Sequence, residues 1–202
     1  MSYDPDQVYR PEADSYLLLE AAREEVKPGD RVLEIGTGSG LVSCGIANIA
    51  SVVATDINPH AARSVRECGI DVIRTDLFTG IRAIFDLVLF NPPYLPTEPG
   101  ERIDDWLEYA LDGGESGRDV IERFASGVGR VLSPEGRILL LVSSLTGPDE
   151  VRELFHGHGF SSTIAVQQIV EGEELSVMRF VREKQSSENI SCAAAKRRRK
   201  CL

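Results

Sequence analysis

Residues 91–94 read Asn-Pro-Pro-Tyr and close an apolar run from Phe85 to Phe90. One proline would end a strand; two in succession remove two backbone donors and stiffen the corner. The side-chain oxygen of Asn91 and the carbonyl of Pro92 are two acceptors that a single NH2 group can satisfy together. Pro93 adds rigidity and withholds a competing N–H, and the ring of Tyr94 offers a face on which a planar group stacks. The corner therefore suits a planar nitrogen, in an amide or an aryl amine, whose delocalised lone pair makes it a weak nucleophile. Two fixed acceptors hold that nitrogen and localise its lone pair toward an electrophile. The proton can leave after the new bond forms, so the chemistry needs no general base beforehand.

Three acids stand at comparable positions after other apolar runs. Glu34 opens Glu-Ile-Gly-Thr-Gly-Ser-Gly, with Gly36, Gly38 and Gly40 allowing a sharp turn and close approach to a ligand. A dinucleotide fingerprint would need a third glycine where Leu41 stands, and a carboxylate at Glu34 is a poor neighbour for pyrophosphate but suits a cation. Asp56 follows the second run and can accept both ribose hydroxyls of an adenosine. Asp76 follows the third and can accept from an adenine amino group, with Ile57 and Leu77 as apolar walls. Together these residues describe a pocket for a positively charged adenosine without phosphate, and S-adenosylmethionine fits that description.

The elements that must position these residues alternate. Strands are expected at 31–35, 51–55, 70–75, 84–90 and 137–144, and helices at 11–26, 40–49, 59–68, 118–132 and 148–159. The first helix carries acids in its first turn and Leu18, Ala21, Ala22 and Val26 on one side. The helix at 118–132 places Val120, Ile121, Phe124, Val128, Val131 and Leu132 on one face. Two runs flanking Glu-Gly-Glu-Glu at 171–174 predict a closing hairpin over 163–181. The fold class is α/β: a mostly parallel sheet covered by helices on both faces, with a C-terminal antiparallel hairpin. Ligands in such sheets bind at the carboxyl ends of the strands, where all of the residues named above fall.

The formal net charge is −10, but residues 184–202 hold six Lys/Arg and one Glu. Residues 1–183 thus carry 16 basic and 31 acidic side chains, a net of −15. So acidic a domain repels phosphate backbones, which makes nucleic acid a poor substrate class and favours a protein or a small molecule. No apolar run approaches a membrane span and the acidic, polar N-terminus does not resemble a secretory signal, so a cytoplasmic protein is expected. Cys44, Cys68, Cys192 and Cys201 lack metal-ligand spacing and read as free thiols. The expected organisation is one domain over 1–183 and a disordered basic tail over 184–202.

Val-Leu-Glu-Ile-Gly-Thr-Gly-Ser-Gly, Ala-Thr-Asp-Ile-Asn-Pro, Arg-Thr-Asp-Leu-Phe and Phe-Asn-Pro-Pro-Tyr, in this order, resemble the class I methyltransferases. That resemblance implies seven strands in the order 3-2-1-4-5-7-6, the seventh antiparallel. It also implies roles: Gly36, Gly38 and Gly40 behind the methionine part of the cofactor, Glu34 beneath the loop, Asp56 on the ribose, and Asp76 with Leu77 on the adenine. The Asn-Pro-Pro-Tyr corner alone fits N6-adenine DNA methyltransferases, some RNA guanine methyltransferases and the HemK glutamine methyltransferases; another protein side chain such as lysine is a further alternative. The stretches 8–22 and 110–124 resemble the HemK family, the first its short archaeal and eukaryotic branch. The resemblance implies N5-methylation of the glutamine in the Gly-Gly-Gln loop of a class 1 peptide-chain release factor. It implies cofactor contacts from an N-terminal segment containing Tyr9 and Ser15, and a small zinc-binding activator protein. The strand near Ile70–Ile73, at a sheet edge in this topology, is where that partner is expected to pair.

Overall fold

The computed structural model describes residues 4–97 and 105–184; the expected tail from 185 onward, with Cys192 and Cys201, lies outside the described residues. Seven strands, β1 (Arg31–Ile35), β2 (Ser51–Asp56), β3 (Asp71–Arg74), β4 (Phe85–Phe90), β5 (Leu132–Ser143), β6 (Phe160–Val170) and β7 (Glu173–Arg182), form one sheet. Its order is β3-β2-β1-β4-β5-β7-β6, as expected. The first five strands in that order run parallel, and β7 is antiparallel to both β5 and β6. Five helices complete the fold: α1 (Ala13–Glu25), α2 (Leu41–Ile46), α3 (Pro59–Glu67), α4 (Asp119–Val128) and α5 (Pro148–Gly157).

Strand alternation separates the core into two faces. Leu33, Val88, Phe90, Ile138 and Leu140 pack with Ile121 and Phe124 of α4 and Val151 and Phe155 of α5. Val32, Leu87, Leu89, Leu139 and Leu141 pack with Leu17, Leu18, Ala21 and Ala22 of α1 and Val42 and Ile46 of α2. Glu34 has the parity of Val32, so its carboxylate points beneath α2 rather than into the aromatic face. Because β1 pairs with both β2 and β4, the sheet reverses its winding between β1 and β4. Ile35 and Phe90 are register partners there, so the glycine loop and the Asn91 corner emerge side by side.

Several boundaries differ from expectation: α2 ends at Ile46 rather than 49, β5 begins at Leu132 rather than 137, and β6 begins at Phe160, ahead of the expected hairpin. The helix predicted over 118–132 ends at Val128. Glycines at 127 and 129 weaken it, and the Arg130 guanidinium donates to the carbonyls of Ile81 (2.7 Å) and Phe78 (3.0 Å), turning the chain. Val131 and Leu132 are buried all the same, and Leu132 begins β5 opposite Phe85. The closing hairpin uses two turn residues, Glu171 (φ 52°) and Gly172 (φ 91°), instead of four. Both central residues at positive φ match the twist of the flanking strands, and β7 consequently starts at Glu173, beside the site described below.

Arg137 is buried at the opposite end of the sheet, paired with Glu25 (2.8 Å) and Asp30 (2.6 Å). Burial raises the Asp30 and Glu25 carboxyl pKa values, but the hydrogen bonds from Arg137, and for Glu25 also from Arg179, outweigh it and hold both below the usual range. The stability they confer is complete above the ordinary carboxylate pKa and is lost as pH falls through the lowered one. Arg137→Ala leaves the Asp30 carboxylate without its cation and Glu25 with Arg179 alone, and is expected to cost about 3 kcal/mol in denaturant unfolding. Cys44 and Cys68 are free thiols. Among the described residues no helix is long and apolar enough to cross a membrane.

Candidate active site

A cavity of about 710 Å³ opens at the carboxyl ends of β1, β2, β3 and β4. Tyr9, Ser15, Glu34, Gly36, Gly38, Asp56, Ile57, Asp76, Leu77, Asn91, Pro92, Pro93 and Tyr94 all line it. Gly40 does not. It holds φ 81° at the N-terminus of α2, where an added Cβ would lie 2.8 Å from Val65. Its absent side chain serves the close packing of α2 on α3. Gly36 does serve the loop: a Cβ there would meet the Phe90 ring at 3.3 Å.

The loop's own amides are already committed. Thr37 N–H donates to the Thr55 carbonyl, Gly38 N–H to Asp56 Oδ2 and Gly40 N–H to the Thr37 carbonyl, each at 2.9 Å. A pyrophosphate would find none of these three donors free, which agrees with the failed dinucleotide fingerprint. Carboxylates dominate instead. Glu34 is buried and accepts from the Thr37 hydroxyl (2.8 Å), the Ser43 amide (3.1 Å) and the Ser43 hydroxyl. Burial pushes its pKa up to about 7 against those hydrogen bonds, with the Asp56 charge adding to the rise. Asp56 is raised by burial too, against hydrogen bonds from the Gly38, Asn58 and Ile57 amides. A cation in the cavity favours the ionised form of both. Its binding should therefore strengthen as pH rises through about 7, and Glu34→Gln should remove most of that dependence. Calorimetric titration with S-adenosylmethionine one pH unit either side of that value checks this.

Asp76 and Leu77 occupy the far end. Leu77 holds φ 46°, a left-handed conformation that a leucine adopts only under constraint and that clusters at ligand sites. Asp76 Oδ2 accepts from Arg123 at 2.6 Å in a largely exposed ion pair, so the carboxylate faces the cavity with one oxygen already engaged.

The Asn91 corner depends on a residue that the motifs did not single out. Asp14, in the first turn of α1, is buried, and its Oδ2 accepts from Asn91 Nδ2 (3.1 Å) and from the Tyr9 hydroxyl (3.2 Å). Its Oδ1 accepts from the Ser15 amide and hydroxyl. An ionised carboxylate only accepts, so it fixes which end of the Asn91 amide faces it. Asn91 Oδ1 is then left buried without a hydrogen-bond partner among the described residues. A buried acceptor left unmade costs on the order of 1–3 kcal/mol, so it marks where a ligand N–H belongs. A signal for Asp14 was present in the sequence: it shares the stripe of Leu17, Leu18, Ala21 and Ala22, all buried.

Burial, with Asp14 and Glu12 nearby, raises the Tyr9 pKa; burial, Asp14, Glu173 and Glu12 raise that of Tyr94. Both phenols stay protonated and neither is a base.

The sheet order, a switch-point cavity lined by carboxylates for a cationic adenosine, and an orphaned amide acceptor define a class I methyltransferase with S-adenosylmethionine as its cofactor. Residues 10–102 match the family described as Methyltransferase small domain. A putative protein N5-glutamine methyltransferase of Methanocaldococcus jannaschii is 40% identical over 180 residues, 85% of this chain and 90% of that one. Methyltransferase HEMK2 of Homo sapiens is 36% identical over 192 residues, 87% and 90% of the two chains. The E. cuniculi Mtq2-Trm112 complex, described as responsible for methylation of the translation termination factor eRF1, matches with a TM-score of 0.74 and 30% identity. That match covers 88% of this chain and 99% of the other. The chain belongs to the HemK family of protein N5-glutamine methyltransferases.

Proposed function

We propose that the protein transfers a methyl group from S-adenosylmethionine to the N5 amide nitrogen of a glutamine, the one in the Gly-Gly-Gln loop of a class 1 peptide-chain release factor. The observation that carries this reading is the buried, unpartnered Oδ1 of Asn91, oriented by Asp14. Asn91 Oδ1 and the Pro92 carbonyl accept the two protons of the glutamine NH2, and the Tyr94 ring lies against its plane. When bound, the cofactor supplies a methyl group activated by a sulfonium. Nitrogen forms the new bond as the methyl–sulfur bond breaks and sulfur keeps the electron pair. The nitrogen's surplus proton then passes to solvent, which suits a site whose phenols are not bases. Glu34 and Asp56 favour the cationic form of the cofactor over its neutral product.

The test is methyl transfer from labelled cofactor to a release factor, with a Gly-Gly-Gln glutamine-to-alanine variant as control. Label in the natural factor alone is expected; equal label in the control would overturn the assignment. Action in the cytoplasm, where translation terminates, is consistent with this reading.

We further propose that a small zinc-binding partner docks on β3. This strand ends the sheet, Ile73 is 45% exposed, and Ile70, Val72 and Ile73 line a shallow hollow with Val53 and Arg66. A parallel partner strand would satisfy the open edge and cover that apolar surface. Ile73→Asp is expected to abolish co-purification with a co-expressed Trm112 protein while the circular dichroism spectrum is unchanged. A wild-type chain that is monomeric, soluble and fully active alone would sink the proposal.

A further inference from the structure

Trp106 was not among the strand-end residues from which the cofactor site was built, yet its half-buried ring lines the cavity. It is held from several sides. Its backbone N–H donates to Gln7 Oε1 at 3.0 Å. Its ring stacks on Tyr109, with centroids 5.4 Å apart and 30° between planes. The Arg74 guanidinium lies 5.5 Å from its centroid.

Two of these tethers lead to one place. The Gln7 carbonyl accepts from Asn58 Nδ2 at 2.7 Å, and Arg74 Nε donates to the Ile57 carbonyl at 3.2 Å. Trp106 is thus anchored by both routes to residues 57–58, directly after Asp56. Fixing a large side chain costs conformational entropy. Here an N-terminal segment, the last residue of β3 and a neighbouring aromatic all combine to fix one ring at the cavity wall.

We infer that Trp106 is a binding residue for the adenosine of the cofactor, forming an aromatic wall against which the purine stacks. The inference rests on placing that adenosine between Asp56 and Leu77. It gives the edge strand β3, through Arg74, a direct contact with the cofactor's wall.

The chain contains a single tryptophan, so its intrinsic fluorescence reports on this residue alone. S-adenosylmethionine and free adenosine should each change the emission, and free methionine should not. Trp106→Leu should weaken cofactor binding by calorimetry about tenfold, the scale of one base–aromatic stack. Trp106→Phe should recover most of the affinity, and kcat at saturating cofactor should change little in either variant. Emission that stays constant while calorimetry records binding, or an unchanged Kd in Trp106→Leu, would overturn the inference. Asp56→Ala separates the two levels of failure. If it loses affinity while Trp106→Leu does not, only the wall is wrong; if both bind normally, the placement of the adenosine is wrong too.

Discussion

Asn91→Ala is expected to bind S-adenosylmethionine almost as the wild type does and to lose methyl transfer by about a hundredfold to a thousandfold. The estimate follows from what a preorganised polar group contributes when charge develops in a transition state. Asn91 Oδ1 has no hydrogen-bond partner among the described residues, and Asp14, which loses the Nδ2 donor, keeps Tyr9 and Ser15, so the fold should tolerate the change. What disappears is one of two acceptors that hold the amide nitrogen. Calorimetry with the cofactor and single-turnover transfer to the release factor separate binding from chemistry. A Kd that rises as far as the rate falls would make Asn91 a structural residue. Asp14→Ala is a sharper companion. The Asn91 amide remains but loses the carboxylate that orients it, and Tyr9 and Ser15 lose the same partner, so kcat should fall further than the cofactor Kd rises.

The strand ends were legible because the chemistry there needs unusual residues. Glycine, acid and paired proline after buried strands stand out whatever the surrounding packing. Strand β1 was read to its observed ends because a short apolar run bounded by Asp30 and Gly36 leaves little freedom. The end of α4 was hidden for the opposite reason. Val131 and Leu132 continue the helical apolar spacing past Gly127 and Gly129, and the capture of Phe78 and Ile81 carbonyls by Arg130 completes the turn. That contact spans some fifty residues and has no local signature.

Asp14 escaped notice because a first-turn acid has an ordinary explanation in the helix dipole. Its place on the buried stripe contradicted that explanation, since a carboxylate is seldom buried without partners. Three glycines look alike in sequence, and only packing against Val65 distinguishes the third. Trp106 and Gln7 had no signal at all. They meet across 99 residues through a backbone amide, which any residue type except proline could supply. Motifs thus located residues that line the cavity, while the contacts that orient them came from the tertiary structure.

Asp56→Ala should give the reverse of the Asn91 result. Its carboxylate is buried, the proposed site has it accept two ribose hydroxyls, and hydrogen bonds to a charged group contribute about 1.5–3 kcal/mol each. Part of that is offset, because the carboxylate also serves Gly38 (2.9 Å) and Asn58 (2.8 Å), whose amides the variant leaves unpaired. A net loss of about 3 kcal/mol, or roughly a hundredfold in cofactor Kd, is expected. Some thermal stability should go as well, since the glycine loop keeps Thr37 on the Thr55 carbonyl but loses the bond from Gly38 to β2. At saturating cofactor, however, Asn91, Pro92 and Tyr94 still hold the glutamine, so kcat should return to within a few fold of wild type. The pair of variants then divides the cavity, with affinity falling for one and rate for the other. A defect in Asp56→Ala that saturating cofactor fails to rescue would mean that the loop, through Gly38, also sets the geometry of transfer. In that case Asp56→Asn, which retains an acceptor toward the Gly38 amide, should recover rate before it recovers affinity.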